Sequence, residues 1–276
     1  MAPLRKNAIA LTGLAIVAFY LATIAVSLFW LPFDPVAMDT IHKLQAPSLA
    51  SGHVLGTDEF GRDILSRIMK GCAISLVISL SATAVGAVAG TLMGIWAGFL
   101  GGRWDHWIMR IADVLFSFPS LLLAIFVMGI LGERTSNVVI AIGIVYIPQF
   151  ARISRGAILV LKSSEFVRAA FSVGASRGYV LFRHLLPNIL VPLIVQVSLS
   201  LSVAILLESA LSFLGLGVQP PSPSWGNMLA SARKFLTLAP WTAVYPGLAI
   251  VLLVLGFNLL GDGLRDILDP RLRNVR

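Results

Sequence analysis

Leu185–Leu207, LLPNILVPLIVQVSLSLSVAILL, runs without a charged side chain for longer than the roughly 20 helical residues that cross a hydrocarbon core of about 30 Å. In lipid only a helix or a closed barrel satisfies its own backbone, and an unbroken apolar run of this length reads as a helix. It opens a span that continues past Glu208 towards Leu214.

The same pattern recurs on both sides. Upstream, spans are expected over Ala8–Leu31, Ile74–Phe99, Ile108–Leu131 and Asn137–Ala151; downstream, one lies within Phe235–Gly261. Composition agrees, because 57% of the residues are hydrophobic and 12% charged, about half the charged share of a soluble domain. Ala8–Leu31 follows Arg5 and Lys6 as a leader would. Its length exceeds the roughly 7 to 15 apolar residues of a signal peptide, so it reads as a retained helix. The expectation is an all-α membrane protein with six transmembrane helices. Residues 1–70 would supply the first helix and an external segment, and 71–276 a five-helix transmembrane domain.

Six spans put both termini on one side. Lys and Arg accumulate in the cytoplasm, and an arrangement with the N-terminus inside gives the inner segments twice as many as the outer ones. Both termini are therefore expected to be cytoplasmic. The net charge of +8 reads as orientation and not as nucleic-acid binding, since the basic residues sit at the ends of apolar segments. Membrane lipid is the expected surrounding. Cys72 is the lone cysteine, which excludes an internal disulfide and a cysteine metal cluster. His42, His53, His106 and His184 have no metal-site spacing.

Residues 152–187 form a cytoplasmic connection longer than a helix needs to turn round. From Ser163 it reads SSEFVRAAFSVGASRGYVLFRHLLPN. Ser163 or Ser164 can cap a helix, Glu165 suits its positive end, and Val167, Ala170 and Phe171 fall on one face. Gly174 permits the left-handed turn that stops it. A second short helix can run from after Ser176 to Pro187. Helix, turn and helix would lie at the inner membrane face, joined to the fourth and fifth spans.

Other residues leave two readings open. Gly86, Gly90, Gly94 and Gly98 recur every four residues, so they share a helix face that another backbone can approach, in this chain or in a second subunit. Glu208 and Asp113 are carboxylates within spans, each a candidate pathway or subunit contact or a hydrogen-bonded structural one. Pro148 and Pro192 can kink the fourth and fifth spans. Asp58, Glu59, Arg62 and Asp63 form either a salt-bridged helix cap or a contact for an external partner.

No catalytic residue is identified. The chain has no GxxxxGK[ST] phosphate cradle and no HExxH helix, so ATP handling and zinc hydrolysis lack their usual residues. A secondary transporter using Glu208 and Asp113 as ion relays is a competing class; such folds carry inverted repeats, and none stands out here.

The segment after Ser163 resembles the cytoplasmic EAA loop of ATP-binding-cassette importer permeases. Ala169, Ala170, Gly174, Leu186 and Pro187 fill its places in register, while Arg168 stands at the motif's glutamate and His184 at its isoleucine. Glu165 lies one turn before Arg168. Three further stretches, GTDEFGRDILSR (56–67), LSFLGLGVQPPSPSW (211–225) and FNLLGDGLRDILDPRLR (257–273), resemble the dipeptide, oligopeptide and nickel permease group, in particular the second of its two permease subunits.

The resemblance implies a type I importer permease fold in the bacterial inner membrane. It also implies a second, dissimilar permease subunit, two cytoplasmic ATPase subunits that bind ATP and magnesium, and an extracytoplasmic substrate-binding protein. The chain itself would bind no cofactor. The loop around Gly174 would be the coupling helix, and the cargo a di- or oligopeptide, with nickel, glutathione and opines as alternatives.

Overall fold

The computed structural model describes residues 8–268. Ten helices follow one another there: α1 (Ala8–Phe29), α2 (Ile64–Leu100), α3 (Gly102–Phe116), α4 (Ser120–Leu131), α5 (Thr135–Lys162), α6 (Glu165–Ser172), α7 (Arg177–Val180), α8 (Leu186–Phe213), α9 (Trp225–Ala232) and α10 (Trp241–Leu268). Among the described residues the β pairing is one isolated bridge, Thr57 to Asp63. Five helices are long and apolar enough to span a membrane, and the bent pair α3–α4 makes a sixth if its two arms count as one span. Arg5, Lys6, Arg271, Arg273 and Arg276, which contribute to the charge asymmetry, lie outside the described residues.

The third span is the main departure from a simple up-and-down bundle. Instead of one helix over Ile108–Leu131, α3 and α4 meet at 94°. Pro119 precedes α4, where its missing N–H and fixed φ stop one helix and start another. At 12 residues, α4 is about 18 Å long and cannot cross the core alone. α3 is strongly two-faced: Trp104, Trp107, Ile111 and Val114 are exposed, while Asp105 and Asp113 pair with arginines of α5.

Charge also misplaces three span boundaries. α10 runs past the expected Gly261 to Leu268, through Asp262, Arg265 and Asp266. α2 begins at Ile64, ten positions before the expected Ile74, because Asp63 caps it: Oδ2 accepts from Ser66 N at 2.8 Å. Arg67 is tolerated in its first turns since its guanidinium is buried against Asp58 and the Pro35 carbonyl. α5 runs on to Lys162 instead of ending at Ala151, so Arg152 and Arg155 lie on the helix itself. The break after the fourth span is therefore confined to residues from Ser163 onward.

The loop over Gly215–Pro223 is non-helical, as its prolines require. It leads into α9, a short helix between the loop and α10. Ser224 and Asn227 form a reciprocal capping box there, and Trp225 is fully buried, its Nε1 donating to the Ile68 carbonyl at 3.1 Å.

Two apolar cores result. One gathers residues of α2, α4, α5 and α8 together with Val167 and Val180. The other joins α1, α2, α8, α9 and α10. Within it Gly13 meets the backbone of Gly256 and Leu260, and the Tyr20 hydroxyl donates to the Ala249 carbonyl at 2.9 Å.

Candidate coupling surface and buried polar sites

Lys162 ends α5 by donating from Nζ to the Phe99 carbonyl at 2.9 Å, which fastens the end of α5 to the end of α2. The backbone turns at Ser163 and Ser164. Ser164 takes the extended conformation of a helix cap, but its hydroxyl bonds back to the Leu161 carbonyl and does not cap α6. Glu165 occupies the first turn of α6, where the exposed N–H groups favour a carboxylate. Gly174 closes the helix with φ +86°, the left-handed conformation that L side chains avoid. Ser176 then caps α7, its Oγ accepting from Tyr179 N at 3.3 Å.

α7 passes through one π-helical turn, Leu181–Leu185, directly into α8. Pro187 lies just beyond that turn. A proline removes one helical donor, and a local π adjustment is a common way to absorb the loss. The second short helix is thus continuous with the fifth span, and a displacement of α7 is passed on to α8 without an intervening loop.

Only part of the expected inner face of α6 is buried. Val167 is fully buried and Ala170 partly so, against a core that contains Val180 and Leu185. Phe171 is 40% exposed and joins Phe166, Val173, Tyr179 and Phe182 on the outside. Periodicity alone did not find this outer apolar face, because an eight-residue helix with apolar residues at 166, 167, 170 and 171 offers two candidate stripes. Phe166 packs tilted against His184 and Tyr179 meets the same ring edge to face, with ring centroids 6.1 and 5.7 Å away. Glu165, Arg168, Ala169, Gly174 and Pro187 are all exposed. Neither Glu165 nor Arg168 makes an ion pair among the described residues.

The four-residue glycine stripe faces α5 of the same chain. A Cβ at Gly86 would lie 2.6 Å from Tyr146 Cβ, and one at Gly98 would lie 2.9 Å from Ile158 Cγ2. Gly90 and Gly94 sit against the carbonyls of Ile147 and Ala151. The stripe is an internal contact.

Glu208 and Asp113 separate. Glu208 is wholly buried near the C-terminal end of α8, where its Oε1 accepts from Ser212 Oγ at 2.8 Å. Ser75 of α2 and Ser209 bring two more buried hydroxyls beside it. This is an interior contact of α8, α2 and the loop after α8, not an exposed pathway carboxylate. Asp113, half exposed on α3, binds Arg152 Nη2 at 2.7 Å, and the Arg152 guanidinium lies 4.1 Å from the centre of the Phe116 ring.

The acidic and basic residues between α1 and α2 form a local network. Arg62 Nε donates to Asp58 Oδ2 at 2.6 Å, Arg67 Nε is 3.5 Å from the same oxygen, and Glu59 lies 3.8 Å from Arg62. Asp63 caps α2 and also holds His53 at 3.0 Å. Outside the helices, a hydrogen bond from His42 holds the Asp39 carboxyl below its ordinary pKa.

Residues 90–274 match the family described as "Binding-protein-dependent transport system inner membrane component". The chain is 43% identical to the dipeptide transport system permease protein DppC of Alkalihalophilus pseudofirmus, over 98% of this chain and 88% of that protein. It is 46% identical to the glutathione transport system permease protein GsiD of Pectobacterium atrosepticum, over 98% of this chain and 89% of that protein. Among solved structures it resembles a chain of the MetNI methionine ABC transporter in an inward-facing conformation. That match has a TM-score of 0.60 at 15% identity and covers 72% of this chain and 95% of that one, a likeness of fold.

Proposed function

The chain belongs to the family of binding-protein-dependent transport system inner membrane components, and on that premise we propose that it is one permease subunit of an ATP-driven importer, forming half of a pathway for short peptides. The observation that carries the coupling role is the exposed apolar face of residues 163–185. Phe166, Phe171, Val173, Tyr179 and Phe182 stand outward on elements rooted by Val167 and continuous with α5 and α8. A cluster of exposed aromatic side chains on short, well-anchored helices is suited to a protein partner.

In this reading the partner at that face is one of two cytoplasmic ATPase subunits, which bind ATP and magnesium. Arg168 replaces the glutamate of the EAA loop, so the ATPase groove would present an acidic residue to it, with Glu165 free to meet a basic one. A second, dissimilar permease completes the pathway, and an extracytoplasmic binding protein delivers the cargo. Both termini lie in the cytoplasm. The relatives' names support a peptide cargo, and glutathione is itself a tripeptide; a glutathione importer is the second reading.

The test is co-reconstitution of this chain with its second permease, both ATPases and the binding protein in proteoliposomes. Labelled dipeptide should enter only with ATP and binding protein. Uptake by this chain alone under a proton gradient would favour a secondary transporter and overturn the proposal.

A further inference from the structure

α3 sorts its side chains into three stripes. Trp104, Trp107, Ile111 and Val114 recur at spacings of three and four, which puts them on one face, and all four are exposed. Arg103 and Arg110, seven residues apart, run along an edge of that face; both are exposed and neither makes an ion pair among the described residues. The two acidic residues of the helix lie on the side away from the tryptophans, where Asp105 holds Arg155 at 2.5 Å and Asp113 holds Arg152 at 2.7 Å, both from α5. The charge that α3 leaves unpaired and exposed is therefore positive.

Those ion pairs also fix how the helix lies. Asp105 and Asp113 are about 12 Å apart along α3, whereas Arg155 and Arg152 differ by only about 4.5 Å along α5. α3 thus crosses α5 instead of running beside it, at the level where the charge-free residues 135–151 of α5 end. In a spanning helix, the end of the uncharged stretch marks the boundary between acyl chains and headgroups. The uncharged α4 leaves α3 at 94° and enters the core from there. An amphipathic helix seated in this boundary sits about 5 to 10 Å deep. That depth shortens what α4, about 18 Å long, has left to cross.

We propose that α3 is an in-plane anchor for anionic phospholipid, with its tryptophan face in the acyl boundary and Arg103 and Arg110 on the phosphates. Tryptophan concentrates at this depth because its ring is apolar and its indole N–H polar. Arginine stems can follow the apolar face while the guanidiniums reach the headgroups, where each can take a phosphate through two hydrogen bonds. A neutral lipid would satisfy the tryptophans alone. The two unpaired guanidiniums select a negative one, because α5 already occupies the carboxylates that would repel it. Beside the helix, an open hollow of about 250 Å³ gives a headgroup room; His106 and Arg110 line it together with Arg155 and the two paired aspartates.

The experiment uses the purified assembly in phosphatidylcholine vesicles doped with nitroxide-labelled phosphatidylglycerol or, in a parallel set, nitroxide-labelled phosphatidylcholine. Subtracting the tryptophan fluorescence of the double variant Trp104→Phe, Trp107→Phe from that of the wild type isolates the two rings. Their quenching should be stronger from a nitroxide at the top of the acyl chain than from one at its end, and stronger from phosphatidylglycerol than from phosphatidylcholine. Arg103→Gln and Arg110→Gln should each lower the preference for phosphatidylglycerol about fivefold. If either variant fails to assemble, added salt should weaken the preference in the wild type by screening the same charges. Equal quenching by the two lipids at low salt overturns the anionic site. Stronger quenching from the chain end overturns the in-plane placement. No quenching by either lipid means that another subunit or water meets this face, and it overturns the proposal altogether.

Discussion

Arg155 of α5 grips Asp105 of α3 with two hydrogen bonds, Nε at 2.5 Å and Nη2 at 2.7 Å. The pair fixes an amphipathic helix, bent away from its own continuation, to the helix that leads into α6 and α7. A bidentate, partly buried arginine contact is stronger than an ordinary surface pair.

Arg155→Gln and Asp105→Asn should each lower stability by about 1 kcal/mol. The double variant should lose little more than either alone. Thermal unfolding of the purified assembly gives the double-mutant cycle, and strict additivity would mean the contact contributes nothing.

Gly90→Ala should destabilise the chain by about 1 to 3 kcal/mol, because a Cβ there meets the Ile147 carbonyl and Phe150 of α5. Gly156→Ala is the control, with nothing within 4 Å of its new methyl; it should be neutral or stabilising by about 0.5 kcal/mol. Equal melting temperatures for the two would contradict the seam.

Gly174 has open space around it and φ +86°, so any side chain there is strained by the backbone alone. Gly174→Val should add roughly 1 to 2 kcal/mol of strain and uncouple ATP hydrolysis from uptake. Gly174→Asn should retain more coupling, since Asn tolerates the left-handed region. The ratio of peptide transported to ATP hydrolysed is the quantity to compare.

Asp58 faces two guanidiniums that are nearly buried, Arg62 and Arg67. Asp58→Ala should cost about 3 to 5 kcal/mol by leaving both without that carboxylate. A melting temperature close to wild type would show that Glu59 and the Pro35 carbonyl suffice.

Glu208→Gln keeps the shape of a side chain buried among hydroxyls and should leave uptake kinetics unchanged. A selective fall in uptake, with stability intact, would return Glu208 to the pathway.

The spans were legible in sequence because length and lack of charge are local properties. Their ends were not, since Arg67, Arg152 and Arg155 find buried or ion-paired places that only the tertiary structure provides. Hydropathy likewise gives a run its length but not its direction; Pro119 was the one signal for the α3–α4 bend. The glycine stripe announced a close approach, because spacing and a missing Cβ are both visible in sequence. Which helix it meets depends on α5 presenting the Ile147 and Ala151 carbonyls. Gly174 and the Glu165 end of α6 were legible through backbone preference.

The contact of α2 with α5 extends over three turns of glycine and is tied off by Lys162 on the Phe99 carbonyl. Sliding either helix along the other would drive side chains into main-chain oxygen. The two therefore form a strut that resists shear along residues 143–158 of α5.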